Sequence, residues 1–136
     1  MNRAYVDSSA FLAAGLGEPA AARMALVMRS QETLFTSPLT VAEVASALRR
    51  EGMPVDGAQR LLATARLWTP STELARQCEE ALDAGRLRGA DLWHVVTAMD
   101  VAGAARRELL FITLDDAQRD VAGRLGFALP RSLRRA

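Results

Sequence analysis

Apolar residues recur along this chain in two rhythms. Short β-prone runs bounded by turn residues, Ala4-Tyr5-Val6 and Thr33-Leu34-Phe35-Thr36, read as strands. The run Leu109-Leu110-Phe111-Ile112-Thr113 is apolar almost throughout, the pattern of a strand buried on both faces. Between them the spacing is helical. Residues 9–16 form a short helix stopped by Gly15 and Gly17, and Glu18-Pro19 opens a second helix over 20–28. Ser37-Pro38 starts a helix to about Arg50, with Val41, Val44, Ala45 and Leu48 on one face. Gly52-Met53-Pro54 breaks it. Asp56 or a neighbour then caps a helix whose stripe is Leu61, Leu62, Ala65 and Trp68. Residues 67–69 suit either the end of that helix or a short strand, and the strand is preferred.

Ser71-Thr72 caps the next helix, which runs through Leu74, Ala75, Cys78 and Leu82 to Gly85. A basic loop, 86–89, leads into a long helix over 90–102 with Leu92, Val95, Val96 and Met99 as its apolar positions. Asp115 begins a last helix to about Leu125, with Gly126 at its C-cap, and 127–129 is expected as a final edge strand before Pro130. Strands alternating with helices predict an α/β fold with a parallel sheet covered on both faces.

The length of 136 residues suits one domain, here residues 1–130, followed by an Arg-rich tail over 131–136 that should fray. Half of the residues are hydrophobic, which predicts a packed core rather than disorder. No apolar run approaches the ~20 residues of a bilayer span. Asp7, Ser8 and Ser9 interrupt any signal-peptide core, so a cytoplasmic protein without a membrane partner is expected.

The lone Cys78 excludes an internal disulfide and a cysteine-rich zinc site, and its helical setting suits an inert, half-buried thiol. The net charge of +1 says little. The identity of the cations says more, because all 17 basic residues are Arg. Compositional bias explains much of that, yet Arg also grips phosphate bidentately. Arg49-Arg50, Arg86 with Arg88, Arg106-Arg107, and Arg131 with Arg134-Arg135 form local patches that could hold a polyanion.

Candidate chemistry lies in four acids. Asp7 ends the first strand and Asp115 follows the Leu109 run, so parallel pairing brings both to one sheet edge, where open α/β folds build their sites. Glu43 and Asp91 each fall in what reads as the first turn of a helix that could point at the same edge. Carboxylates so gathered repel one another unless neutralised, and a hard divalent cation such as Mg²⁺ is the usual solution. A pair of such ions about 3.5–4 Å apart can clamp a phosphodiester.

Ordinary helix-start chemistry competes at each position. Asp7, Asp91 and Asp115-Asp116 could each serve only a helix N-terminus. Thr40-Val41-Ala42-Glu43 also matches the capping box, and taken alone the cap is the stronger explanation of Glu43. The four together are the signal. His94, three residues after Asp91, could ligate or shuttle protons, but a lone histidine beside Trp93 is more often structural. Trp93 and Trp68 read as packing residues. P-loop, dinucleotide and nucleophile-elbow motifs are absent from the sequence.

The chain resembles the PIN-domain ribonucleases, especially VapC-type toxins of toxin–antitoxin modules. The matching segments are Tyr5-Val6-Asp7-Ser8-Ser9, Leu39-Thr40-Val41-Ala42-Glu43-Val44, Gly89-Ala90-Asp91-Leu92-Trp93-His94-Val95-Val96-Thr97-Ala98 and Leu110-Phe111-Ile112-Thr113-Leu114-Asp115. Ala122-Gly123-Arg124-Leu125-Gly126 extends the likeness, which covers nearly the whole chain.

The resemblance implies a three-layer α/β/α sandwich with a mainly parallel sheet of four to five strands. It also implies an acidic site for Mg²⁺ or Mn²⁺ made by Asp7, Glu43, Asp91 and Asp115, with Thr113 in support and Asp116 able to substitute or assist. A homodimer held inactive by a cognate VapB-like antitoxin is expected on the same ground. The resulting expectation is a metal-dependent endoribonuclease acting as a toxin, with Arg86 and Arg88 gripping the RNA backbone. The alternatives are a catalytically inactive PIN-like binding module and a Mg²⁺-dependent receiver-like phosphoacceptor domain. The last normally needs a Lys in its site, and this sequence has none.

Overall fold

The computed structural model describes residues 2–71 and 73–131. Four strands, β1 (Arg3–Val6), β2 (Thr33–Thr36), β3 (Ala65–Leu67) and β4 (Leu109–Ile112), form one parallel sheet in the order β3-β2-β1-β4. Among the described residues, seven α-helices join and cover them: α1 (Ser8–Gly15), α2 (Ala21–Arg29), α3 (Pro38–Arg50), α4 (Gly57–Leu62), α5 (Leu74–Ala84), α6 (Gly89–Ala102) and α7 (Asp116–Arg124). The expected α/β/α sandwich is what forms.

Strand alternation divides the core in two. Ala4 and Val6 of β1, with Leu34 and Ile112 beside them, point to one face and pack on α1–α4 through Phe11, Met24, Val44, Leu48 and Leu62. Tyr5, Phe35 and Phe111 point to the other face and pack on α5–α7 through Ala81, Val95, Met99 and Val121. Burying a side chain such as Phe111 contributes roughly 1.5–3 kcal/mol. β1 lies between β2 and β4, and this inner place in the sheet puts Asp7 at the middle of the C-terminal edge.

Several local expectations are corrected. The third strand lies at Ala65–Leu67 rather than 67–69, because pairing with β2 matches Ala65 to Leu34 and takes Ala65 out of the helical stripe. The final edge strand shrinks to a single parallel bridge between Leu110 and Ala128, with Pro130 close behind. Ser71 does not cap α5: its hydroxyl donates to Asp100 at 2.8 Å, the N-cap position is Glu73, and Thr72 lies outside the described residues. The tail beyond Arg131 lies outside them too. Gly126 does follow α7 with φ at 97°, a conformation that favours glycine.

Candidate active site

The C-terminal edge of the sheet carries the chemistry. Asp7 follows β1 and caps α1, its Oδ1 accepting from the Ala10 N–H at 3.1 Å and the Ser9 hydroxyl at 2.7 Å. Its Oδ2 accepts from the Thr113 hydroxyl at 2.6 Å. The ordinary capping role is thus real, but it engages only one of the two oxygens. The residue is 1% exposed. Burial pushes its carboxyl pKa up, against the smaller pull of Thr113, Ser9, His94 and the Ala10 N–H.

Thr113 ties this acid to the next. β4 ends at Ile112, so Thr113 sits just past the strand, buried beside Asp7, and its oxygen accepts from the Asp115 N–H at 3.0 Å. Asp115 is the N-cap of α7 and accepts from the Gln118 N–H at 2.8 Å. The Gln118 side chain turns the other way and donates from Nε2 to Asp91 Oδ1 at 2.8 Å. Asp91 lies in the first turn of α6. Asp7, Asp115 and Asp91 are therefore joined through two intervening residues, Thr113 and Gln118, with the backbone N–H groups of Asp115 and Gln118 among the links.

Glu43 requires a correction. Helix α3 begins at Pro38 with Ser37 as N-cap, its hydroxyl accepting from the Leu39 N–H at 3.1 Å. Thr40 is thus already inside the helix, buried and bonded to Thr36, and Glu43 falls in the second turn, where it cannot close a capping box. Its Oε1 lies 2.6 Å from Nε2 of His94. The other ring nitrogen, Nδ1, lies 2.8 Å from the Tyr5 hydroxyl. Tyr5 is fully buried, and burial first, then the Asp7 charge, holds its phenol pKa well above the usual value. A protonated phenol donating to Nδ1 leaves Nε2–H to donate to Glu43, which satisfies all three groups.

His94 and Gln118 were missed by sequence reasoning as parts of the site. The available signal was spacing: His94 stands three residues after Asp91, and Gln118 three after Asp115, each near the same helical face. Asp116 stays at the rim, its side chain 57% exposed and paired with Arg119 at 3.3 Å. Trp93 is a packing residue with one anchor, donating from its indole to Ser37 at 2.6 Å.

A cavity of about 480 Å³ opens on Asp91 and Asp115 and is rimmed by Arg86, Leu87, Arg88 and Ala117. Cations thus border two of the acids, as an anionic substrate would require. A roomier hollow of about 600 Å³ lies at the opposite edge of the sheet, near Asn2, Arg3 and Arg107, away from all four acids.

Among the described residues, no group of three or more His, Cys, Asp or Glu side chains is placed to hold a metal ion. Each acid is turned to a hydroxyl, amide or imidazole partner instead. The donor set itself suits a hard divalent cation: carboxylate oxygens, one of them buried, with a buried amide oxygen on Gln118 that has no hydrogen-bond partner.

The PIN domain family model matches residues 4–124, from within β1 to the end of α7. A search of curated proteins finds no match.

Proposed function

We propose, from the premise that the chain belongs to the PIN domain family, whose members are generally nucleases, that it is a metal-dependent endoribonuclease. One observation carries the proposal. Asp7, Asp91 and Asp115 come from three separate segments and are linked through only Thr113 and Gln118, at an edge rimmed by Arg86 and Arg88.

Asp7, Asp91 and Asp115 would hold Mg²⁺ or Mn²⁺, with Glu43 a ligand directly or through water. Bound there, the ion would make a water nucleophilic near neutral pH and neutralise charge on the phosphate. The chain's own groups do the rest. Thr113 and Ser9 fix the Asp7 carboxylate, and His94 fixes that of Glu43. Arg86 and Arg88 grip the RNA backbone, so that water attacks the phosphorus in line and leaves a 3′-hydroxyl and a 5′-phosphate.

The biological role that fits is the toxin of a two-gene module. In this role a cognate VapB-like antitoxin would hold a cytoplasmic homodimer inactive, the nuclease domain being residues 1–130 and the Arg-rich tail 131–136. No helix of the described residues is long and apolar enough to cross a membrane. A second reading, a catalytically inactive PIN-like binding module, draws support from the acids not being gathered as they stand. Family membership and the absence of Lys both count against the receiver-like alternative.

Expression in a bacterial host tests the role. Growth arrest by the wild-type chain, absent in Asp91→Asn and relieved by a small neighbouring gene, is the expected result. Equal arrest by wild type and Asp91→Asn would leave the binding module as the better account.

A further inference from the structure

Gln118 is 2% exposed, yet the oxygen of its side-chain amide has no hydrogen-bond partner. A buried acceptor left unpaired is costly and rare. The rest of the residue is fully employed, its backbone N–H on Asp115 and its Nε2 on Asp91. The direction of the amide follows from that contact, because an ionised carboxylate only accepts and so selects the nitrogen. The unpaired oxygen shares a carbon with that nitrogen and therefore lies beside the Asp91 carboxylate.

We infer that Gln118 is a positioning residue for the cation site: it holds Asp91 and Asp115 in fixed relation and reserves its amide oxygen for a divalent ion or a water on that ion. The inference rests on the function proposed above. A neutral amide suits the place. It holds the Asp91 carboxylate while the backbone N–H of the same residue holds Asp115, it adds no negative charge, and it supplies an oxygen of the type that Mg²⁺ and Mn²⁺ accept. A purely structural role needs only the bond to Asp91, and for that role the unpaired buried oxygen is a cost.

That contrast gives a test in which fold and metal move in opposite directions. Gln118→Met removes the bond to Asp91 and the orphaned oxygen while keeping length, volume and the backbone N–H on Asp115. Without metal, its melting temperature should equal or exceed that of wild type. Mn²⁺ affinity, measured by calorimetry with the metal alone, should fall about 10-fold to 100-fold. Gln118→Asn keeps the amide on a shorter stem and should recover part of that affinity if it reaches Asp91. Wild-type Mn²⁺ binding with unchanged affinity in Gln118→Met would overturn the role of Gln118 alone. A Gln118→Met protein clearly less stable than wild type without metal would overturn it as well, by showing a structural residue. Failure of the wild-type protein to bind Mn²⁺ would overturn the proposed function itself, and this role with it.

Discussion

Nε2 of His94 holds the Glu43 carboxylate at 2.6 Å, joining α6 to α3 across the acidic edge. The histidine is 1% exposed and the glutamate side chain 31%, so a rigid buried ring steadies a carboxylate that still meets solvent. Removing His94 therefore has two separable effects. His94→Ala should cut cleavage about 10-fold to 100-fold by freeing Glu43, and should cost about 1–3 kcal/mol by removing the imidazole partner of the buried Tyr5 hydroxyl. Adding Tyr5→Phe should restore part of the stability and none of the activity. Thermal unfolding and cleavage rates of the single and double variants check this.

Asp7 is costly to keep ionised. Burial pushes its carboxyl up, with hydroxyls and one N–H as its hydrogen-bond donors. Asp7→Asn retains the shape, and the hydroxyls of Ser9 and Thr113 can turn to meet the amide. The metal-free variant should melt higher than wild type at pH 7 by a few degrees, roughly 3–5 °C for each kcal/mol gained in a chain of this length. Cleavage should be lost. Differential scanning of the metal-free proteins is the check, and a lower melting point would mark Asp7 as a cap and nothing more.

The layout of the sandwich was open to sequence reading because it rests on local pattern. The apolar run at Leu109–Ile112 and the helical stripes around Val44 and Val95 depend on period alone. What escaped depends on tertiary pairing. Ala65 looks helical until β2 claims it at Leu34, and 127–129 looks like a strand although only one bridge forms. The four acids were legible by position, but what engages them was not. Glu43 matches a capping box only if Thr40 is the cap, and the Ser37-Pro38 start that the sequence already offers places Thr40 inside α3. His94 and Gln118 are ordinary helical residues until the fold brings Glu43 and Asp91 to them from 51 and 27 residues away in sequence.

Asp100 makes the fold sensitive to acid. Burial alone would push its carboxyl up, but donors from Trp68, Ser71 and Gln77 outweigh that and hold it below the usual value. These bonds fasten α6 to α5 and to the segment after β3. A carboxyl lowered in the native state stabilises above the unfolded-chain value and loses that stabilisation as pH falls through the native one. Wild type should accordingly lose stability as pH falls from about 5 to 3. Asp100→Asn should be about 1 kcal/mol less stable at pH 7, with a flatter acid limb in denaturant titrations across that range.

Arg86 and Arg88 are exposed beside Asp91 and Asp115. If they meet phosphates, Arg86→Ala and Arg88→Ala should weaken RNA binding evenly across sequences. Each should lower the slope of log affinity against log salt by about 1. Fluorescence anisotropy on a catalytically disabled background, over a series of salt concentrations, reads this. Melting temperatures should not change, since neither side chain is buried.

The most direct measurement is cleavage of a labelled RNA by the purified protein, free of any partner, with Mn²⁺ or Mg²⁺ and then with EDTA, beside Asp7→Asn and Asp91→Asn. Cleavage that needs the metal, is abolished by EDTA, fails in both variants and leaves 5′-phosphate ends is the predicted result. Cutting that persists in EDTA, or proceeds at the wild-type rate in either variant, would contradict it.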